Sequence, residues 1–159
     1  MQQLIDALKL KPHPEGGFYS EVYRSAQTID SPIHSHPRPA LTHIYFLLLA
    51  GQVSRFHRVV HDEIWNFYAG APLRLLHIHN HQSQSAEAQT TSESVIIGSA
   101  NRFAHVIEGG QWQAAESTGD YSLVGCSVAP GFDFADFEFM SNTDAAWVKQ
   151  HRREWLRFI

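Results

Sequence analysis

The chain has 159 residues, 43% of them hydrophobic and 18% charged, which is the composition of one globular domain with a core of ordinary size. Its formal net charge of −4 argues against a nucleic-acid surface, which needs clustered Lys and Arg. Cys126 is the only cysteine, so no disulfide can form within the chain. Residues 1–10 have neither the basic start of a signal peptide nor an apolar run long enough to span a membrane. We therefore expect a single-domain protein over residues 1–159, cytoplasmic, with neither membrane nor nucleic acid as a partner.

The N-terminal half predicts one short helix followed by strands. Apolar residues at helical spacing place the helix within residues 1–10, and the prolines and glycines of residues 12–17 end it. Residues 27–39 contain three prolines and predict a long exposed loop. Strands are predicted over Phe18 to Arg24, Leu41 to Ala50, Ser54 to Val60, Glu63 to Tyr68 and Leu73 to His79.

The C-terminal half predicts more short strands and a final helix. Residues 80–94 are polar and predict a loop or an exposed edge hairpin. The strands are Ser94 to Ile97, Ala104 to Ile107, Gln111 to Ser117 and Ser122 to Val128. A bulge near Ala135 and Asp136 would place the rings of Phe132, Phe134, Phe137 and Phe139 on one face. Ser141, Asn142 or Thr143 can cap the final helix, whose apolar stripe runs from Trp147 to Phe158. Many short strands with helices only at the ends predict an all-β sandwich or barrel.

The segment from Gly51 to Gly70 holds the residues of greatest chemical interest. His57 and Glu63 lie between these two turn glycines, each on a predicted strand. If the two strands form a hairpin, the histidine and the carboxylate can meet across it. Such a pair can hold a metal, move a proton or orient a polar ligand, and it can equally be a buried hydrogen bond that only fixes the hairpin.

This segment resembles the first motif of the cupin superfamily, in the pattern Gly51-x5-His57-x-Val59-x3-Glu63-x6-Gly70. The second cupin motif, which normally supplies a proline, a glycine and a histidine, is matched best by residues 108–113. Glu108 stands there at the proline and Gln113 at the histidine.

Blocks along nearly the whole chain are similar to one branch of that superfamily, the domain of unknown function 985 (cupin family 5). The blocks are Pro12 to Tyr19 with Tyr23 to Ser25, Ile44 to Leu48, Phe56 to Val59, Asp62 to Trp65, Trp112 to Ala115 and Leu123 to Phe132. Asn66 departs from the branch, where we expect histidine. The resemblance implies an all-β fold, the cupin double-stranded β-helix, a jelly-roll barrel with a cavity between two sheets and short helices at its ends. It also implies a homodimer, but it implies no particular reaction.

The resemblance implies three histidines and one glutamate in a metal-binding cupin, and this chain offers only part of that set. Valine at position 59 cannot ligate, and the amide oxygen of Gln113 is a weak ligand for a transition metal. We therefore expect no tightly bound metal cofactor; if one binds, its ligands are His57, Glu63 and Gln113.

Other histidines of the eleven invite a metal interpretation too. His77, His79 and His81 alternate along one predicted strand, but no carboxylate lies among them, which favours a free surface stripe. His34 and His36 lie in the proline-rich loop. His61 follows the motif and can still reach the rim of the cavity.

Candidate ligand-binding residues follow from strand alternation. Glu21 shares a face with two tyrosines, whereas Arg24 lies on the other face and either pairs with an anionic ligand or forms an ion pair with Glu138 or Asp136. Trp65 and Phe67 form an apolar wall beside Glu63. The remaining candidates are Tyr45 and Gln113. The hydroxyl of Tyr45, like those of Tyr19 and Tyr23, is able to return a proton to a substrate. Trp112 and Cys126 are interpreted as core packing.

Three functional hypotheses remain open. The first is a protein that binds a small polar or anionic metabolite, sugar- or nucleotide-sugar-like, without a metal, and that acts, if it is an enzyme, as an epimerase or isomerase. In it His57 removes a proton next to a carbonyl and Glu63 orients the histidine. The second is a metal-dependent oxygenase or isomerase, and the third is a non-catalytic binding or assembly protein.

Overall fold

Strands dominate the computed structural model, which describes residues 1–80, 90–140 and 144–159. The strands are β1 (Lys11–Pro12), β2 (Phe18–Arg24), β3 (Thr28–Asp30), β4 (Pro37–Pro39), β5 (Thr42–Leu49), β6 (Val53–Val59), β7 (Asp62–Gly70), β8 (Leu73–Asn80), β9 (Thr90–Ile97), β10 (Ala104–Ile107), β11 (Trp112–Ser117), β12 (Tyr121–Ala129) and β13 (Phe137–Phe139). Helix α1 (Gln2–Ala7) precedes them and helix α2 (Ala145–His151) follows. Short 3-10 helices cover Phe134–Asp136 and Arg153–Phe158.

Two antiparallel sheets enclose the core. One sheet has the order β1-β2-β5-β12-β7-β10 and the other β13-β6-β11-β8-β9, while β3 and β4 form a separate hairpin. Between the sheets lies an apolar cluster that includes Phe46, Trp65, Leu75 and Val124. This is the predicted all-β jelly-roll barrel, and the strand predictions agree with the structure to within one or two residues at most boundaries.

The terminal segments cover the outer faces of the sheets. Residues of α1 and Leu10 pack on Leu47 and Leu123 of the six-stranded sheet. Trp155 and Phe158 pack on Phe56 of the five-stranded sheet. The predicted cap of the final helix falls on residues 141–143, outside the described residues. Among the described residues, no helix is long and apolar enough to cross a membrane.

The hairpin across which His57 and Glu63 could have met does not form. β6 and β7 are consecutive in the chain but belong to different sheets, since β6 pairs with β11 and β13, and β7 with β12 and β10. Alternation fixes which face a side chain occupies, but it does not fix the partner strand. His57 and Glu63 therefore lie on opposite walls of the barrel.

Two further predictions need correction. The expected loop over residues 27–39 contains the β3–β4 hairpin, with Thr28 opposite Pro39. In place of a bulge near Ala135, the chain makes a 3-10 turn, in which Asp133 accepts a hydrogen bond from the Ala135 N–H. This turn brings together the rings of Phe132, Phe134 and Phe137.

Candidate active site

A cavity of about 280 Å³ opens between the two sheets. Its apolar wall consists of Ile44, Val59, Val128, Phe132, Phe134 and Phe137. Its polar groups are His13, Glu15, Tyr19, Glu21, Arg24, Thr42, His57, Glu63, Cys126 and Asp133. A concave apolar site with a few convergent polar groups is typical of a small-molecule site, and this volume lies near the lower end of the range of about 300–1,000 Å³.

His57 is buried in this wall with both ring nitrogens engaged. Its Nδ1 lies 2.8 Å from the carbonyl oxygen of Arg55, and its Nε2 lies 3.2 Å from Oε2 of Glu15. Because a carbonyl only accepts, Nδ1 carries a hydrogen. A proton must then lie between Nε2 and the carboxyl oxygen, either on His57 as an imidazolium or on Glu15 as a carboxylic acid. The ring of Phe137 stacks on the imidazole at 5.1 Å and limits its rotation.

Glu15 reaches His57 from the loop that joins β1 to β2. The Gly16 N–H donates to the His13 carbonyl, and the His13 N–H donates to the Gly17 carbonyl, so the loop is a tight turn. Gly16 has φ +117°, and a Cβ there would collide with the carbonyl oxygen of Val53. The turn therefore needs glycine and holds the glutamate against β6.

Two contacts with β6 fix the orientation of Glu15. The Arg55 N–H donates to the Glu15 carbonyl at 2.9 Å, and the Ser54 hydroxyl donates to its Oε1 at 3.0 Å. These contacts fix the backbone and Oε1 of Glu15. Oε2 faces His57 and shares the proton with it.

Burial moves the pKa values of this pair toward the neutral forms. It raises the pKa of Glu15 to about 8, against the opposing effects of the Ser54 hydroxyl and the Arg55 charge. Burial also lowers the pKa of His57, partly opposed by the Glu63 charge and the Arg55 carbonyl. At neutral pH Glu15 therefore holds the proton of the pair, and it releases this proton when the pH approaches its pKa of about 8.

His13 lies beside the pair as a neutral imidazole. Burial and, secondarily, the charge of His57 lower its pKa to about 4. Its Nδ1 accepts a hydrogen bond from the Glu15 N–H at 3.2 Å, so the ring hydrogen is on Nε2. The ring packs edge-on against Tyr19 at 4.6 Å.

Glu63 enters the cavity from the opposite sheet and is held by a chain of two hydrogen bonds, here called the relay. The Trp65 indole N–H donates to Gln113 Oε1 at 2.8 Å, which fixes the amide with its Nε2 toward Glu63 Oε2 at 2.5 Å. The Cys126 thiol also donates a hydrogen bond to the Glu63 carboxyl group. Burial raises the pKa of Glu63, with the charge of His57 opposing the rise. The relay thus presents a second carboxyl group at a set position.

Arg24 and Glu21 lie together at the mouth of the cavity. Both are on the same face of β2, although strand alternation predicts opposite faces. A bulge at Val22 shifts the register of β2 on β5, and this brings both side chains to the same side. The Arg24 Nη2 is 2.7 Å from Glu21 Oε2, and its Nη1 donates to the Phe132 carbonyl at 3.1 Å. The alternative ion pair with Glu138 or Asp136 is wrong.

Those two acidic residues have other partners. Glu138 pairs with Arg58, and Asp136 accepts from the Arg38 guanidinium through both of its carboxylate oxygens. Arg24 therefore remains at the mouth, with 41% of its side chain exposed, where it can exchange Glu21 for an incoming anion.

Four of the sequence candidates do not line the cavity. Tyr45 lies on the outer side of its strand, where its ring meets His43 and Tyr68. Trp65 and Phe67 belong to the core between the sheets. Gln113 is fully buried and acts through Glu63. Tyr45, Trp65 and Phe67 are thus corrected as direct ligand contacts.

The structure adds residues that strand alternation did not single out, chiefly His13 and Glu15. They precede β2 in a proline- and glycine-rich loop, where no alternation applies. The available signal was a carboxylate placed directly before two glycines in Pro14-Glu15-Gly16-Gly17, because a Gly-Gly pair allows a close approach of backbone to backbone.

The motif residues do not fit the metal set of the fold family. Nε2 of His57 faces Glu15, the amide of Gln113 is shared between Trp65 and Glu63, and Val59 lines the wall without a donor atom. Within residues 1–80, 90–140 and 144–159, ligand atoms of three such side chains approach within 4.8 Å at two places, and neither is this cavity.

In the first of these two places, protein contacts already engage most of the possible ligand atoms, although Nδ1 of the buried His61 has no hydrogen-bond partner. This place consists of His34, His61 and Asp136. Arg38 donates to both oxygens of Asp136, and the Ser31 hydroxyl lies 2.8 Å from His61 Nε2. His61 is buried in this ion-pair group and not at the cavity rim.

The second place corrects the interpretation of the alternating histidines. His77 is 2% exposed and faces the space between the sheets, and the carboxylate of Glu93 lies near both His77 and His79. A free surface stripe is therefore wrong for these two histidines. His81 lies outside the described residues.

Comparison with known proteins places the chain in a family. The model of the family described as "Cupin superfamily (DUF985)" matches residues 2–140. The chain belongs to this cupin family.

Relatives share the fold along most of their length. A hypothetical protein from Leishmania major is 31% identical, with 99% of this chain and 95% of that one covered and a TM-score of 0.83. A protein from Shewanella oneidensis is 35% identical, with the same coverage and a TM-score of 0.79. An uncharacterized Saccharomyces cerevisiae protein is 27% identical over 91% of this chain and 77% of its own length.

More distant cupins share the architecture alone. A dTDP sugar isomerase from Desulfovibrio desulfuricans G20 is 14% identical, with 87% of this chain and 90% of that chain covered and a TM-score of 0.54. At this identity the likeness shows the double-stranded β-helix and leaves the chemistry to be argued from the site.

Proposed function

We propose that this cupin binds a small polar or anionic metabolite, sugar- or nucleotide-sugar-like, in its cavity and that it catalyses a metal-independent epimerisation or isomerisation. The observation that carries the proposal is the contact between His57 Nε2 and Glu15 Oε2 at 3.2 Å on the cavity wall. A buried pair that shares one proton is suited to general acid–base catalysis, because it can release and recover that proton near neutral pH.

The two walls supply proton-handling groups on opposite sides of a ligand. His57 and Glu15 belong to one side, and Glu63 enters from the facing sheet. In the proposed step, one side removes the proton from the carbon next to a carbonyl. The electron pair of that C–H bond becomes a C=C bond, and the π pair of the carbonyl moves to its oxygen, which gives an enolate. The other side returns a proton to carbon. Return to the same carbon from the opposite face is an epimerisation. Return to the former carbonyl carbon is an isomerisation, in which the hydroxyl on the first carbon passes its proton to the enolate oxygen and becomes the new carbonyl.

The mouth of the cavity supports an anionic substrate. Among the described residues that line the cavity, Arg24 is the only Arg or Lys. Its Nε and Nη2 donate to Glu21 and its Nη1 donates to the Phe132 carbonyl. A carboxylate or phosphate can take the place of Glu21 in the bidentate geometry that guanidinium favours. Tyr19 is the tyrosine that lines the cavity, so it replaces Tyr23 and Tyr45 as the hydroxyl that can contact the ligand.

A solvent-exchange experiment tests the catalytic step. Sugar acids, sugar phosphates and nucleotide sugars are first screened by thermal shift, and those that stabilise the protein are incubated with it in D₂O. We expect deuterium at one carbon with the wild type and with the matched control Glu138→Gln, whose carboxylate is exposed. Glu15→Gln should bind the same compound but lose the exchange.

The outcomes separate binding from catalysis. Stabilisation with no deuterium incorporation would overturn the catalytic step and leave a binding protein. If no compound stabilises the protein, or if Glu15→Gln exchanges as fast as the wild type, the proposed role of the pair is wrong.

A further inference from the structure

A second polar group lies where the edge strands of the two sheets meet, separate from the cavity. We call it the edge cluster, and it consists of His77 and His79 on β8, Glu93 on β9 and His105 on β10. The hydrogen-bonded pair of Trp65 and Gln113 stands between this cluster and the cavity, because Gln113 is the cross-strand neighbour of both His57 and His77.

The ligand atoms of His77, His79 and Glu93 all lie within 4.8 Å of one another, close enough to share one ion, and His105 adds a third imidazole near the same carboxylate. Oε1 of Glu93 lies 3.5 Å from His77 Nδ1, 3.3 Å from His79 Nε2 and 3.7 Å from His105 Nε2. A tetrahedral ion with nitrogen and oxygen ligands at about 2.0–2.2 Å keeps neighbouring ligand atoms about 3.3–3.6 Å apart. The separations are long for direct hydrogen bonds, which are about 2.7–3.2 Å.

The buried nitrogens give an independent indication. His77 is 2% exposed, and neither of its ring nitrogens has a hydrogen-bond partner; Nε2 of His105 is also buried and without one. Buried polar atoms without a partner are costly and call for an explanation. A cation between these imidazoles and the carboxylate would satisfy one nitrogen of His77 and Nε2 of His105.

We propose that the edge cluster binds one divalent transition-metal ion, with Zn²⁺ the best fit. Two imidazoles and one carboxylate, with the imidazole of His105 next to that carboxylate as the fourth candidate, form a nitrogen-rich ligand set. Such a set suits zinc better than Ca²⁺ or Mg²⁺, because those ions prefer oxygen ligands. The ion would also connect the two sheets, since β9 and β10 are their edge strands and face each other on one side of the barrel. The site is distinct from the motif position at which the fold family holds metals.

Titration with ZnCl₂ tests the proposal on untagged full-length protein stripped with a chelator. Calorimetry should give one ion per chain for the wild type, and Co²⁺ in its place should give the visible absorption of a tetrahedral site. His79→Ala and Glu93→Gln change partly exposed side chains and should fold, as circular dichroism can verify. Each should weaken Zn²⁺ binding by at least about 10-fold, which is the lower end of the loss caused by removal of even an outer partner.

Two controls make the result specific. His36→Ala removes an exposed histidine outside the cluster and should bind Zn²⁺ as the wild type does, and so should Glu15→Gln, because the cavity pair is separate. Absence of a stoichiometric ion in the wild type would overturn the proposal, as would unchanged affinity in His79→Ala and Glu93→Gln. Loss of binding in His34→Ala alone would assign the ion to the other histidine group and would equally overturn it.

Discussion

Nε2 of His57 lies 3.2 Å from Oε2 of Glu15, although the sequence motif pairs this histidine with Glu63. The two residues meet because the β1–β2 loop lies against β6, with the Arg55 N–H bound to the Glu15 carbonyl. The proton of the cavity is therefore shared within one wall, and Glu63 faces it as a second, separately held carboxyl group.

Replacement of Glu15 should change how stability depends on pH. The pKa of Glu15 is about 8 in the folded protein and lies near 4.5 when unfolded, so the folded state binds the extra proton between these values. The contribution of Glu15 to stability is thus most favourable below pH 4.5 and is lost as the pH rises to 8. Urea unfolding at pH 5, 6.5 and 8 should show the wild type losing stability relative to Glu15→Gln, on the order of a few kcal/mol in all. Parallel pH profiles for the two proteins would show that Glu15 has an ordinary pKa.

A methyl group at Gly16 should displace the glutamate. Gly16→Ala would strain a positive φ and collide with the Val53 carbonyl, whereas Gly51→Ala has a positive φ but no atom within 4 Å of the added carbon. We expect Gly51→Ala to cost about 1–2 kcal/mol of unfolding free energy and Gly16→Ala clearly more. Equal losses in the two variants would show that the close packing of the loop on β6 is not needed.

Trp65→Phe should loosen the relay that orients Glu63. The substitution leaves the buried Oε1 of Gln113 without its donor, which costs about 1–3 kcal/mol in addition to the loss of ring volume. The control Trp147→Phe changes a partly exposed tryptophan on α2 and should cost less. Chemical denaturation of both variants measures the difference, and a gap below about 0.5 kcal/mol would mean that the indole N–H contributes little.

The outer face of the six-stranded sheet is expected to form a homodimer. Ile64, Tyr68 and Val106 are 39%, 45% and 49% exposed on this face, and neighbouring apolar groups of this kind favour association. Light scattering should give a dimer for the wild type and for the control Ile29→Asp, which changes an exposed residue of the β3–β4 hairpin. Ile64→Asp should give a monomer. A monomeric wild type at micromolar concentration would reject this expectation.

The sequence predicts the strands well because alternation and turn residues are local signals. Phe18–Arg24 and Ala104–Ile107 agree with the prediction at both ends. The sheet partners of β6 and β7 are set by packing of the whole barrel, which no local pattern records. The bulge at Val22, which reverses the face of Arg24, is likewise visible only in the register with β5.

The candidate site is predictable only where its residues lie on regular strands. His57 and Glu63 follow from the motif, but Glu15 comes from an irregular loop and has no periodicity to mark it. The carboxylate near His77 was missed for a related reason. Glu93 is its cross-strand neighbour on β9, and the pairing of β8 with β9 cannot be deduced from either strand alone.

Nitrogen-15 NMR of labelled histidine in the ligand-free protein tests the shared proton most directly. At pH 7, we expect His57 to carry its hydrogen on Nδ1, with Nε2 shifted by a hydrogen bond from the Glu15 carboxyl; the shift should be smaller in Glu15→Gln, where only an amide N–H can donate. The titration of His57 should change in the same variant and stay unchanged in Glu138→Gln. A His57 ring that is protonated on Nε2 and not on Nδ1 would contradict the proton-sharing pair on which the proposed function rests. So would nitrogen-15 shifts and a titration of His57 that stay the same in Glu15→Gln.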